Sequence, residues 1–245
     1  MDPVATERLW LTQPRRSTCL ARVVAVRGDK VAFDRSLFAP ASHAHRHPQP
    51  HDTGTVWVEG EKRRMDRAFL RDGTLWHHIR GRVPAVGAAL NCQLDQDRRE
   101  RASRAHTAMH LLIAAVQGAS GPALAGEPSV KGGGTFRLEF ATRHIPAPDL
   151  AAWLARANTW VQEDHKVSVE HVLRELAARA LDVQRFDPPH AYPGPDLTID
   201  AVRIEGVCAY PCDGTHVERT GRVGRIVISQ AHASAGRFVV VGRVG

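Results

Sequence analysis

Two short motifs, about a hundred residues apart, carry the residue types that bind transition metals. His106-Thr107-Ala108-Met109-His110 sets two imidazoles four positions apart. Cys212-Asp213-Gly214-Thr215-His216 sets a thiol and an imidazole at the same spacing. On a helix, positions i and i+4 share a face, so His106 and His110 can turn toward one ion. Cys212 and His216 can complete a tetrahedral nitrogen/sulfur shell, the arrangement Zn2+ prefers. One four-spaced pair is a weak signal. Two pairs, the second running on into Val217 and then Thr220-Gly221, are a specific one. Zinc held this way either fixes a fold or, with a coordination position open, polarises a carbonyl and acidifies a water.

Other residues suggest chemistry less sharply. In Lys131-Gly132-Gly133-Gly134, glycine lets backbone N–H groups converge on an anion, so the segment can hold a phosphate or an oxyanion. It can equally be a plain connection. Thr135, which follows, can hydrogen-bond a substrate or simply begin a strand. His43, His45 and His47 alternate in a stretch that Pro40, Pro48 and Pro50 keep irregular, with His51 just beyond. They are candidates for a second metal or for lining an acyl pocket; a solvent-facing loop is the simpler alternative. Arg98, Arg99, Arg101 and Arg104 are the candidate phosphate-contacting patch, whose alternative is a solvated helix lead-in. Cys208 is expected to pack in the core.

The elements that must position these groups follow from hydrophobic patterning. Leu20 to Val26 and Val31 to Phe33 flank a polar tip, Arg27-Gly28-Asp29-Lys30, as a hairpin does. Thr55 to Val58 reads as a strand, and Asp72-Gly73 marks a tight turn between Ala68-Phe69-Leu70 and Thr74-Leu75-Trp76. Short strands at this spacing predict a small barrel or sandwich over residues 1–92. The charged stretch from Asn91 to Arg101 reads as the junction to a second domain, residues 93–245. There Ser103 is predicted to cap a helix reaching Gln117, ended by Gly118. Thr135 to Phe140 reads as a strand and Asp149 to Glu163 as an amphipathic helix. Lys166 to Val169 is predicted as strand, Glu170 to Leu181 as helix, and Pro188 to Pro195 as loop. Ala201 to Val207, Arg222 to Ser229 and Arg237 to Val244 supply closing strands. The class is α+β with an antiparallel sheet.

Composition sets the limits. The 245 residues carry a formal net charge of +7 and are 43% hydrophobic, enough to bury a core. The sequence pI of about 9.8 favours an anionic partner, nucleic acid first. No run of eighteen apolar residues predicts a membrane span, and the N-terminus lacks a signal pattern. Four cysteines at this length do not suggest a disulfide scaffold, and a thiolate ligand suits a reducing cytoplasm.

His106-Thr107-Ala-x-His110-Leu111-Leu112, with Cys212-x-Gly214-Thr215-His216-Val217 and Thr220-Gly221, resembles the alanyl-tRNA editing superfamily. That superfamily comprises the editing domain of alanyl-tRNA synthetase, its free-standing AlaX relatives and the related threonyl editing domain. Asp34-Arg35-Ser36-Leu37-Phe38 and Gln49-Pro50-x-Asp52-Thr53-Gly54 resemble its N-terminal barrel motif. Arg137-Leu138-Glu139-Phe140 resembles its central strand, and Ala157-Asn158 a position on its long helix. The similarity runs from about residue 20 to about residue 240.

The resemblance implies a zinc-dependent hydrolase of translation fidelity, a free-standing deacylase that cleaves the ester of a wrong amino acid on tRNA. It implies Zn2+ on His106, His110, Cys212 and His216, with tRNA as partner. It also implies a glycine-rich-type barrel domain beside an α+β editing domain. Gln49, by resemblance, would hold a water or the amino-acid carbonyl, with Lys131 and Thr135 as the further catalytic candidates. His43, His45, His47, Gly132, Gly133 and Asp213 are the substrate-binding candidates. The expected substrate is serine or glycine on alanine tRNA. Two departures set alternatives beside it. The glycines that usually precede Gln are replaced by the histidine-bearing segment, and Asp213 stands where the family usually has Gly. Both lie where amino-acid recognition would be expected. One alternative is a threonyl-class deacylase removing a noncanonical residue such as fluorothreonine. Another is a zinc-stabilised tRNA-binding module without catalysis, and a third is a hydrolase of small aminoacyl esters. Oligomeric state has no signature in the sequence.

Overall fold

The protein is described by a computed structural model, which covers residues 5–41, 49–121, 125, 128–145, 148–173, 176–177 and 198–245. Its described residues fall into two compact units. One contains the chain up to Ala41 together with Pro50–Glu100; the other contains Gln49 and Arg101–Gly245. The segment holding His43, His45 and His47 lies outside the described residues, as does the predicted loop from Pro188 to Pro195.

The first unit is a closed antiparallel barrel of six strands. These are β1 (Thr18–Arg27), β2 (Lys30–Phe33), β3 (Gly54–Val58), β4 (Glu61–Arg71), β5 (Thr74–Ile79) and β6 (Ala89–Leu94). They hydrogen-bond in the order β1-β2-β5-β4-β3-β6, and β6 returns to β1. Closure removes sheet edges. Strand alternation builds the interior: Cys19, Ala21 and Val23 of β1 point inward while Thr18, Leu20 and Arg22 face out. Leu90, Cys92 and Leu94 repeat the pattern on β6, with Cys19 opposite Cys92 in register. Phe33, Val56, Met65 and Ile79 complete the core. The hairpins predicted around Gly28 and Asp72-Gly73 are both present.

Helix α1 spans Gln96–Ser120. It starts seven residues before the predicted cap, because Asp95 accepts from the Arg98 N–H at 3.1 Å and so occupies the capping position. Ser103 is therefore inside the helix and buried. Every residue from Ala105 to Gln117 is buried, as in a helix packed on all sides.

In the second unit, β7 (Ser129–Lys131), β8 (Thr135–Ala141), β12 (Ile226–Ser234) and β13 (Arg237–Val244) form one antiparallel sheet, ordered β12-β13-β8-β7. Helix α2 (Leu150–Glu163) is capped as predicted, Asp149 Oδ1 accepting from Ala152 N at 2.9 Å. A second sheet joins β9 (Val167–Leu173), β10 (Thr198–Ile204) and β11 (Cys208–Pro211) in that order. The predicted switch from strand to helix at Glu170 is not made. Glu170 to Leu173 stay paired with β10, where Val169 opposite Val202 and Val172 opposite Ile199 favour the extended form. Arg222 and Val223, expected to begin a strand, belong instead to a 3-10 turn over Thr220–Val223, and the strand begins at Ile226.

The core of this unit gathers Met109 and Leu112 of α1, Phe136 and Leu138 of β8, Trp153 of α2 and Tyr210 of β11. Gly242 is required there, since a Cβ would overlap the Phe136 ring across the strand pair. No helix among the described residues is long and apolar enough to cross a membrane. The α+β class expected from the strand and helix patterning is the class observed, and of the barrel and the sandwich that the strand spacing allowed, the closed barrel implied by the family resemblance is the one formed.

Candidate metal centre

Helix α1 carries His106 and His110 one turn apart inside its wholly buried segment. Their rings stack at 5.0 Å between centroids. Cys212 directly follows β11, and its N–H is fixed to the Asp200 carbonyl on β10 at 2.9 Å. The loop then turns back over α1, where the Val217 N–H reaches Thr107 Oγ1 at 3.3 Å and places His216. The four potential ligand atoms of His106, His110, Cys212 and His216 lie within 4.8 Å of one another, and all four residues are buried. The set can hold a metal ion.

The local distances fit an ion's coordination shell. Cys212 Sγ is 3.4 Å from His106 Nε2 and 3.3 Å from His216 Nε2. A tetrahedral zinc site with ordinary Zn–S and Zn–N bonds has sulfur–nitrogen edges of about 3.5 Å. Burial pushes the Cys212 thiol well above the ordinary cysteine range, and the neighbouring Asp213 carboxylate adds to this. A bound cation reverses that preference by stabilising the thiolate directly. His110 packs its ring against Tyr210 at 5.3 Å, and the Tyr210 hydroxyl donates to Gln117 Oε1 at 2.7 Å.

Around these four lies a polar shell. Gln49 is 2% exposed, its Oε1 2.7 Å from His106 Nδ1 and 2.9 Å from Thr215 N. Its Nε2 donates to Thr215 Oγ1 at 2.8 Å, an atom Ser103 Oγ also reaches at 2.9 Å. Thr107 Oγ1 donates to the Ser103 carbonyl at 3.0 Å and is 3.3 Å from His216 Nδ1. Gly214 is needed at its place, since a Cβ would overlap the His106 ring and come within 2.9 Å of Gln49 Oε1. Ser103, Thr107 and Thr215 are site residues that the sequence patterns do not single out. The signal available was their position within and beside the two ligand motifs.

The remaining candidates are distributed otherwise. Asp213 is half-buried beside Cys212. Cys208 is a core residue on β11, opposite Ile204. Lys131 to Gly134 close a turn between β7 and β8, with Gly134 N donating to Lys131 O at 3.1 Å. Lys131 stands opposite Thr135, and Thr135 opposite Arg243. Strand alternation puts this row on the sheet face away from Phe136 and Leu138, whose side holds the core and α1. Lys131 and Gly133 are exposed, and Gly132 is half-buried. His51 bonds through Nε2 to the Asp66 carbonyl at 2.9 Å, and burial lowers its pKa.

Arg99, expected on a phosphate-binding surface, is 3% exposed. Its guanidinium is paired with the Asp52 carboxylate and donates to the Leu37 carbonyl at 2.7 Å, so it cannot meet a nucleic acid. Arg98 is half-buried and donates to the His51 carbonyl at 3.3 Å. Arg104 donates to the carbonyls of Val223 and Gly245. Of the four, only Arg101 is exposed. A Cβ on Gly134 would lie 3.6 Å from Arg101, so this arginine borders the glycine turn.

No protein-family model matches the chain. Curated relatives do. The alanine–tRNA ligase of Methanothermobacter thermautotrophicus is 29% identical over 94% of this chain and 25% of its own length. That of Methanopyrus kandleri is 31% identical over 91% of the chain and 24% of its own length. The Thermofilum pendens enzyme is 30% identical over 82% of the chain and 22% of its own length. The chain thus spans about a quarter of the length of the curated relatives it matches. Its homology to one segment of archaeal alanine–tRNA ligases, together with the His-x3-His and Cys-x3-His motifs converging at one point, places it in the alanyl-tRNA synthetase editing-domain superfamily, with the AlaX-like editing domains.

Proposed function

We propose that this protein is a zinc-dependent aminoacyl-tRNA deacylase that hydrolyses the ester of mischarged tRNA, with serine or glycine on alanine tRNA as substrates. The observation that carries the reading is the convergence of His106, His110, Cys212 and His216, from two distant stretches, within 4.8 Å. Three imidazoles and a thiol suit zinc over magnesium or calcium, which take oxygen ligands. When bound, zinc supplies the charge to polarise an ester carbonyl or acidify a water.

The chain's own residues take the other roles. Asp213, next to Cys212, offers a carboxylate complementary to the α-ammonium of an aminoacyl group. Lys131, Arg243 and Arg101, all exposed near the glycine turn, are suited to tRNA phosphates. Gly132 and Gly133 would let the turn approach that backbone closely. This assigns Lys131 and Thr135 to binding the RNA and not to the ester. A thiolate ligand and an aminoacyl-tRNA substrate both suit the reducing cytoplasm, which we propose as the compartment of the activity.

One observation favours a second reading. Four buried protein ligands close a tetrahedral shell, as structural zinc sites do. In that case the protein is a zinc-stabilised tRNA-binding module. A deacylation panel on zinc-loaded protein decides between them, using alanine and threonine tRNAs, each charged with serine, glycine, threonine or a threonine analogue. Release of serine and glycine from alanine tRNA supports the proposal. Release restricted to threonine analogues moves the substrate to the threonyl class, and tRNA binding without release supports the module. Affinity for tRNA should fall steeply with added salt; a flat response would remove the basic row from the interface.

A further inference from the structure

We infer that Gln49 and Thr107 are positioning residues that hold His106 and His216 in one tautomer, with hydrogen on Nδ1 and Nε2 left as the metal-binding atom. This rests on the zinc-binding reading above.

The hydrogen-bond network assigns the protons. A backbone N–H can only donate, so the Gln49 atom 2.9 Å from Thr215 N is the amide oxygen. The same oxygen is 2.7 Å from His106 Nδ1. A carbonyl oxygen carries no hydrogen, so Nδ1 must supply it. The neutral ring then has an unprotonated Nε2, the atom that faces Cys212 Sγ at 3.4 Å. The amide is held in this orientation from its other end, where Nε2 donates to Thr215 Oγ1 at 2.8 Å. A flip would set the amide N–H groups against Thr215 N–H.

Thr107 makes the same assignment by a separate route. Its single hydroxyl hydrogen is committed to the Ser103 carbonyl, one helical turn earlier, at 3.0 Å. Its oxygen therefore accepts, from Val217 N at 3.3 Å and from His216 Nδ1 at 3.3 Å. Nε2 of His216 is again the unprotonated atom, 3.3 Å from Cys212 Sγ. Two histidines from different motifs thus turn the same ring nitrogen to the same sulfur. Each is fixed by an oxygen that does not belong to the ligand set. Thr107 lies between the two helix ligands, and its hydroxyl also ties down the loop that brings His216. Outer partners of this kind orient the ligand and tune its basicity.

The test uses the full chain with two measurements. The imidazole 15N shifts of metal-free wild type are expected to report hydrogen on Nδ1 for both His106 and His216. Zinc affinity is then read by competition with a chromophoric chelator for Gln49→Leu and Thr107→Val, beside Gln49→Glu and Thr107→Ser. The first two are expected to bind zinc about 10–100-fold more weakly, and the second two, which keep an accepting oxygen, within about threefold of wild type. Unchanged affinity in folded Gln49→Leu and Thr107→Val would overturn the inference. So would an Nε2–H tautomer in either histidine, a result that needs no variant to fold. Wild type that takes up no zinc would instead sink the metal reading, whatever the tautomers.

Discussion

Both units bury histidine, and they use it in opposite ways. In the barrel, His77 is fully buried between the rings of Phe33 and Phe38, at 4.5 and 5.9 Å. Its Nδ1 donates to the Val31 carbonyl at 3.3 Å, and its Nε2 accepts from Ser36 Oγ at 2.8 Å. Both nitrogens are thereby matched by oxygens, and desolvation drops its pKa to about 3. In the second unit, His106 and His216 also have Nδ1 matched by an oxygen, but Nε2 faces a thiol within a cluster of like donors. A buried imidazole is therefore not a ligand by virtue of burial. The proposed metal site uses those imidazoles whose second nitrogen faces another potential ligand and not a hydroxyl.

The largest consequence separates the two kinds. Replacing His110 or Cys212 with Ala should abolish stoichiometric zinc and, with zinc a thousandfold above its dissociation constant, remove about 4 kcal/mol of apparent stability. His77→Gln should leave zinc content at one per chain. Metal analysis of the purified variants checks both, and loss of zinc in His77→Gln would erase the distinction. Gly214→Ala should come next. The added methyl displaces the His106 ring, so zinc affinity should fall at least tenfold while the barrel still melts cooperatively.

His77 gives a pH signature. Its folded pKa, about 3, lies below the unfolded value near 6.5, so the unfolded chain binds more protons between them. Its stabilising effect is complete above about pH 6.5 and is lost as pH falls toward 3, at up to about 1.4 kcal/mol per pH unit. Denaturant titrations from pH 7 to 4 should show a shallower acid limb in His77→Gln; an identical slope would contradict the assignment. Ser36→Ala, which removes the donor to His77 and the acceptor for Phe38 N, should cost about 1–3 kcal/mol at neutral pH. Smallest is Arg101→Ala. Being exposed, it should change stability by less than about 0.5 kcal/mol and show itself only in a reduced salt dependence of tRNA binding.

Much of this was legible in the chain. The barrel hairpins followed from turn dipeptides between alternating strands, and α2 from its cap and apolar spacing, because those signals are local. The full length of β9 is not legible locally, because its pairing with β10 is settled by residues some thirty positions away. The start of α1 is not legible locally, because the charged residues from Asp97 onward resemble a linker and only the fold brings the Asp95 carboxylate to the Arg98 N–H. Arg99 reads as surface because nothing near it in sequence reveals Asp52.

By itself the sequence determined which side chains have the chemistry of a metal site, since spacing on a helix and after a strand is a local property. It also determined the family resemblance and the barrel-plus-α+β class. Only the tertiary structure decided that the two motifs meet, that Gln49 and Thr107 stand behind two of the imidazoles, and that Arg99 serves the interior. Those outcomes depend on contacts between residues dozens to more than a hundred positions apart. A linear pattern does not encode such contacts, because the direction of each side chain is fixed by packing and by the need to satisfy every buried polar atom.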